Sequence, residues 1–140
     1  MPVDLVLLEN PTAEQVDPID HGLGRYNQAI TGEGASRRFA IAVRDKAGQT
    51  VGGIIADVGW GWCYIDVLWL RDDLRGQGIG HRLLESAERH AVELGARNVY
   101  LWTASFQAPQ FYLRHGYTIF GQLEDCPPGH TKFYLRKRLE

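Results

Sequence analysis

Residues Tyr64 to Leu94 constrain the fold of this chain more than any other stretch: a run YIDVLWL, a turn RDDLRGQGIG and a segment HRLLESAERHAVEL. Tyr64–Leu70 is apolar, aromatic or β-branched except for Asp66, which predicts a central strand covered on both faces. From Ile79 the apolar residues recur at Leu83, Leu84, Ala87, Ala91 and Leu94. That spacing traces one stripe of a helix, and Gly95 is a natural stop. Between strand and helix, Gly76, Gly78 and Gly80 alternate, removing the Cβ atoms that would hold a ligand off the backbone. The following helix presents its unsatisfied N–H groups to the same space. Strand, glycine loop and helix N-terminus together predict an anion site suited to a phosphate or pyrophosphate.

Spacing excludes two common glycine motifs. A P-loop requires Gly-Lys, and no such dipeptide occurs in the chain. A dinucleotide fingerprint begun at Gly76 needs glycine where His81 stands, and one begun at Gly78 needs it at Leu83. What remains is Arg75-x-x-Gly78-x-Gly80, which resembles the Arg/Gln-x-x-Gly-x-Gly/Ala signature of the GNAT superfamily of acyl-CoA N-acyltransferases. Downstream, Phe111-Tyr112-Leu113-Arg114-His115-Gly116-Tyr117 is similar to that family's Phe-Tyr-x-x-x-Gly-Phe/Tyr segment. A helix, a strand and a short loop separate the two, as they do in the family. The resemblance runs over residues 36 to 138, with the N-terminal third matching only in its pattern of elements. The alternative reading of the glycine residues is a turn joining a core strand to a helix.

Along the chain, Val3–Leu8 is an apolar run expected to form a first strand, ended by Asn10-Pro11. Thr12-Ala13-Glu14-Gln15 has capping-box spacing, and Asp17-Pro18 offers a second helix start. Ile19, Leu23, Tyr26 and Ile30 make a helical stripe that Gly22 and Gly24 are expected to loosen or break, each costing about 1 kcal/mol against alanine. Arg38–Arg44, Val51–Val58 and Trp62–Leu70 read as an antiparallel meander turned at Asp45–Gly48 and Gly59–Gly61. Asn98–Thr103, arriving after a helix, is expected parallel to the Trp62–Leu70 strand. A second helix spans Ser105 to His115 with Ser105 as N-cap, and Tyr117–Leu123 and Lys132–Arg138 close the fold as strands. The expected architecture is α/β (α+β): a mixed, mostly antiparallel sheet of about six to seven strands, flanked by helices, in one domain over residues 1–140. The resemblance adds that the parallel pair splays to open a slot for acyl-CoA.

Composition bounds the partners. Hydrophobic residues at 44% and charged residues at 23% are ordinary for a soluble domain. A net charge of −2, with no basic run beyond Arg136-Lys137-Arg138, argues against nucleic acid and against a membrane surface. Cys63 and Cys126 stand alone, without metal-ligand spacing, so no metal is expected and a reducing cytoplasm is. MPVDLVLLEN has no basic start and reads as no signal peptide.

For the chemistry, the resemblance implies acetyl-CoA as co-substrate. Its thioester arm would pair with the backbone near Leu68 and Leu70 like an added strand. Its pyrophosphate would sit on the N–H groups of Gly76, Gln77, Gly78, Gly80 and His81, with Arg75 adding charge or bracing the loop. Ser105 stands where the family often has asparagine on the pantetheine side, and it reaches less far. Tyr112 aligns with the tyrosine that protonates the departing thiolate, and a backbone N–H near Trp69 or Leu70 would hold the oxyanion. Asp66 is the candidate base, on the expectation that strand alternation puts Tyr64, Asp66 and Leu68 on one face. A structural partner would explain it as well, and Glu124 and His130 are alternative bases. The implied reaction is N-acetylation of a small-molecule primary amine by direct attack. A protein or peptide acetyltransferase and a non-catalytic acyl-CoA-binding regulatory module are the alternatives. The acceptor is expected among Trp60, Trp62, Tyr26, the Gly32–Ser36 loop and the Glu124–His130 loop, and a homodimer through a final-strand edge fits the pattern.

Overall fold

The computed structural model describes residues 2–139, in two compact units, one up to Ala35 and one from Ser36 onward. In the first unit the apolar run Val3–Leu8 forms no strand, because an extended segment without a ladder partner gains no hydrogen bonds from being one. The remainder is a single helix, α1 (Ala13–Thr31), rather than a broken one. Its ends explain its continuity. The Thr12 hydroxyl accepts from the Gln15 N–H while the Gln15 side chain accepts from the Thr12 N–H, a complete capping box. Gly32 closes the helix in the left-handed conformation at φ 74°, donating its N–H to the Gln28 carbonyl. Asp17-Pro18 therefore falls inside the helix and starts nothing.

The second unit is built on a six-stranded sheet in the order β1-β2-β3-β4-β6-β5. Its strands are β1 (Arg37–Arg44), β2 (Thr50–Gly59), β3 (Trp62–Leu70), β4 (Asn98–Ala104), β5 (Thr118–Glu124) and β6 (Thr131–Arg138). All neighbours run antiparallel except β3 and β4, as the helical crossover between them demands. That crossover is α2 (Ile79–Glu93), preceded by a 3-10 turn at Asp72–Leu74. Its stripe is the expected one: Leu83, Leu84, Ala87 and Ala91 are buried, with Ile79 and Leu94 packed at the margin. They meet Ile54, Ala56 and Val58 of β2, Cys63 and Ile65 of β3, and Val99 and Leu101 of β4 in one core. Among the described residues no helix is long and apolar enough to cross a membrane.

Two local departures position the site. The first is a β-bulge in β3. Ile65 pairs with Ala56 and Val67 with Ile55, so Asp66 is an extra residue without an opposite partner. One inserted residue reverses the alternation beyond it. Leu68, opposite Ile54, therefore shares the core face with Ile65 and not the face of Tyr64, contrary to the simple alternation of the sequence. The second is the start of α3 (Pro109–Arg114), which is shorter than expected, with Ala108 and not Ser105 at its N-cap. Ser105 is instead tied to β6. Its N–H donates to the Thr131 carbonyl at 2.8 Å and its hydroxyl accepts from the Thr131 N–H at 3.0 Å.

Candidate active site

The parallel pair supplies the opening. Only Trp62–Tyr64 pairs with Asn98–Tyr100; beyond these residues β3 and β4 part. Ring contacts between Trp62 and Tyr100 and between Tyr64 and Tyr100 pack the paired end. The parted ends border a cavity of about 1050 Å³, lined on one side by Ile65–Leu70 and on the other by Trp102 and Thr103. The edge of β3 past Tyr64 has β2 on one side and no strand on the other, leaving backbone groups for an extended ligand.

At the far end of the slot lies the glycine loop. Gly76 and Gly78 adopt positive φ of 77° and 79°, and a Cβ at either would meet nothing, so their use is conformational. Gly78 is the N-cap of α2 and has no side chain to satisfy the first turn, so the N–H groups of Ile79, Gly80 and His81 point outward unmet by any cap. Gly80 has an ordinary φ, and a Cβ there would make only van der Waals contact, 3.5 Å from the Phe111 ring. Arg75 braces the loop: its Nε donates to the Leu70 carbonyl at 3.3 Å, and its guanidinium pairs with Asp72 at 3.2 Å. Gln77 donates its amide to the Asp73 carbonyl, a second brace.

Tyr112 forms part of the wall between loop and slot. It is 7% exposed, and burial pushes its phenol up to about 12, so it remains a neutral donor across any physiological pH. The other aromatic of the same segment, Tyr117, has a structural task. Its hydroxyl donates to Glu88 at 2.7 Å, and Lys137 donates to both oxygens of that carboxylate at 3.0 and 3.2 Å. This network joins α2 to β6.

Asp66 also lines the cavity, but it has a partner. Arg38 donates one Nη2 bond to Asp66 at 3.0 Å and grips Asp57 through Nε and Nη2, each at 3.1 Å. Asp66 thus lies on the outer face of the meander with Asp57, opposite Tyr64 in the pairing, and Arg38 bridges the two carboxylates. Leu68, Leu70, Arg75, Gly76, Gly78, Gly80, His81, Asp66 and Tyr112 thus come together around one cavity. Ser105 lies outside its lining, and so do Trp60, Trp62, Glu124 and His130. Trp60 sits in the β2–β3 turn and Trp62 at the closed end of the slot, both remote from where the strands part. In their place the structure brings in Trp69, Trp102, Phe106 and Gln107. Gln107 accepts from the Ala104 N–H at 2.7 Å and holds the turn between β4 and α3. Trp102 and Phe106 had a signal in the sequence, since both flank the end of a strand expected to splay. Among the described residues no cluster of His, Cys, Asp or Glu is arranged to hold a metal ion.

Comparison with known proteins agrees with this architecture. Residues 5–117 match the family model described as Acetyltransferase (GNAT) family. The blasticidin-S acetyltransferase of Streptomyces morookaense is 41% identical over 102 residues, covering 72% of this chain and 75% of that one. A crystal structure of an acetyltransferase from Agrobacterium tumefaciens superposes with a TM-score of 0.91 at 32% identity, over 97% of this chain and 99% of that one. An acetyltransferase from Bacillus cereus ATCC 14579 superposes with a TM-score of 0.83 at 33% identity, over 96% and 98%. With the splayed strands, the glycine loop and the tyrosine segment matched in order, the chain belongs to the acetyltransferase (GNAT) family.

Proposed function

We propose that this protein transfers the acetyl group of acetyl coenzyme A to a primary amine of a small molecule within a ternary complex, with residues 1–140 acting as one catalytic domain. The observation that carries the reading is the slot that opens where β3 and β4 part, lined by the glycine loop and by Tyr112. The pantetheine arm lies along Leu68–Leu70, and the pyrophosphate takes the N–H groups of the loop from Gly76 to His81. The acceptor nitrogen attacks the thioester carbonyl carbon. The C–S bond then breaks, its electron pair goes to sulfur, and the nitrogen gives up a proton. A thiol near 8.5 is a stronger acid than a phenol at about 12, so Tyr112 donates a hydrogen bond to the growing thiolate and does not surrender its proton outright.

Asp66 serves the acceptor side. One carboxylate oxygen is engaged by Arg38, and the other remains to meet an ammonium or its water, which makes Asp66 the candidate base. Trp69 and Phe106 supply the aromatic surface on which a cationic acceptor is held, since Lys132 already lies 4.0 Å over the Trp102 ring. The similarity to a blasticidin-S acetyltransferase makes blasticidin S the first acceptor to offer, ahead of a wider panel of amines.

The test has two arms. Coenzyme A at a hundredfold excess over its Kd should stabilise the fold by about 2.7 kcal/mol, raising Tm by several degrees. Gly80→Glu, which puts a carboxylate at the anion site without backbone strain, should abolish the rise. In the second arm, thiol release from acetyl coenzyme A should require an added amine. A melting temperature indifferent to coenzyme A rejects the cofactor assignment, whereas binding without turnover on any amine supports a non-catalytic module.

A further inference from the structure

The sheet face turned away from α2 carries charges and rings beside the parted end of the slot. Along β4, Leu101 is buried in the core with α2, so its neighbours Tyr100 and Trp102 stand on the outer face. Trp102 pairs with Tyr134 of β6, and Lys132, two residues before Tyr134, shares their face. On the β3 side the same face holds Tyr64 and Asp66, and the Tyr64 phenol is within electrostatic reach of Asp66, Tyr100 and Tyr134. Asp66 and Trp102 both line the cavity, so the slot opens onto this face between them.

The two cations nearest this opening are differently matched. The Arg38 guanidinium is taken by Asp57 and Asp66. The ammonium of half-buried Lys132 stands 4.0 Å from the centre of the Trp102 ring and 5.5 Å from that of Tyr134. Among the described residues no carboxylate is in contact with it. A ring face engages one side of an ammonium, so N–H donors remain on the side turned away from it. The rings thus hold a charge in place beside the cavity without neutralising it.

Asp66, Trp102 and Lys132 belong to three successive strands, β3, β4 and β6. Two interstrand steps separate the carboxylate from the ammonium by at least about 10 Å, with an aromatic ring between them. A molecule whose amine meets Asp66 and whose body crosses Trp102 brings its far end to Lys132. We propose that the acceptor is a zwitterion, an amine that also carries a carboxylate, and that Lys132 is the specificity-determining residue that binds the carboxylate. One monovalent cation matches a carboxylate better than a phosphate dianion. A hydrogen bond at each end leaves roughly 5 Å between amine and carboxylate, a separation of several bonds. The proposal rests on the reading of the slot as an acyl-transfer site with Asp66 on the acceptor side.

The experiment follows thiol release from acetyl coenzyme A with ω-amino acids, from β-alanine to 6-aminohexanoate, each paired with its primary amide. Acid and amide have nearly the same shape and differ in the carboxylate charge. Wild type, Lys132→Met and Lys132→Arg are compared, since methionine keeps an unbranched side chain on Trp102 and arginine keeps the charge. An acid and its amide also differ in amine basicity, but equally so for every protein. The change in their kcat/KM ratio between proteins therefore isolates Lys132. In Lys132→Met the acid-to-amide ratio should fall about tenfold for the best-accepted pair, the worth of one charge-assisted contact. The fall should lie in KM for the acid, with kcat unchanged. Lys132→Arg should recover the ratio to within about threefold of wild type. Coenzyme A should raise Tm equally in all three proteins. Equal losses on acid and amide, or a ratio unchanged in Lys132→Met, would mean that Lys132 only shelters the Trp102 ring. Either result overturns the proposal and leaves acetyl transfer to amines intact. If wild type releases no thiol with any acid or amide although coenzyme A raises its Tm, the transfer reading and the proposal fall together.

Discussion

At the residue scale, the two aromatics of the Phe-Tyr-x-x-x-Gly-Tyr segment have different environments. Tyr112 borders the cavity, whereas Tyr117 is 2% exposed and bound to Glu88. Both are phenols in one short motif, and only the direction in which each ring leaves the turn distinguishes them. That direction comes from packing against α2 and β6, so composition and spacing alone do not reveal it. Tyr112→Phe should leave acetyl coenzyme A affinity unchanged and lower kcat by at least about tenfold, the lower end of what one hydrogen bond to a charged group is worth. Because burial holds Tyr112 up to about 12, an alkaline limb of the wild-type rate below pH 10 should persist in the Phe variant. A variant turning over at the wild-type rate would mark Tyr112 as a core aromatic. Asp66 illustrates the converse. Its isolation in an apolar run signalled a partner or a function, and Arg38, distant in sequence, is the partner.

At the element scale, β2 shapes the cavity without lining it. Gly52 and Gly53 sit opposite Leu70 and Trp69. A Cβ on Gly53 would come 2.6 Å from the Ile41 carbonyl oxygen, and one on Gly52 would come 2.8 Å from the Trp69 carbonyl oxygen. Backbone atoms cannot swing aside, so these glycines allow β1, β2 and the end of β3 to approach where the slot begins. Gly53→Ala should therefore destabilise by about 1–3 kcal/mol. In Tm this is a fall of roughly 3–10 °C by differential scanning calorimetry. Gly121→Ala, whose Cβ would meet nothing, is the control and should lie within about 0.5 kcal/mol of wild type. Equal melting temperatures for the two variants would refute the close-approach argument. No periodicity in β3 announces the bulge at Asp66, since a bulge is defined by the partner strand.

At the scale of the whole molecule, the core stores ionisable groups in neutral form. Burial raises Cys63 to about 12 and Tyr112 to about 12, and it raises Tyr117, with the Glu88 carboxylate adding to the shift. In the unfolded chain these groups ionise near 8.5 to 10. Between those values and about 12 the folded state binds more protons, so stability must fall as pH rises. Each fully ionised group steepens the fall by about 1.4 kcal/mol per pH unit. Urea midpoints should be flat from pH 7 to 8 and should drop steadily from pH 9 to 11, with Cys63→Ala losing the earliest part of the drop. Midpoints unchanged up to pH 11 would contradict the burial of these three groups.

The sequence by itself determined the family, the helical stripe of α2, the antiparallel meander and the parallel crossover. Each is written in residues close together: glycine spacing, the period of apolar side chains, and a helix interposed between two strands. The loop glycines were legible for the same reason, since a tight turn against a helix start needs no distant partner. Tertiary structure decided the rest. The bulge depends on β2, the ion pair of Asp66 on β1, the tether of Ser105 on β6, and the His81–His115 contact on α2 meeting α3. Every one of these joins positions at least nine residues apart, counted from Ala56 to Ile65 at the bulge, the shortest separation among them. Local propensity carries no information about such meetings, because they exist only once the sheet has set its neighbours and register.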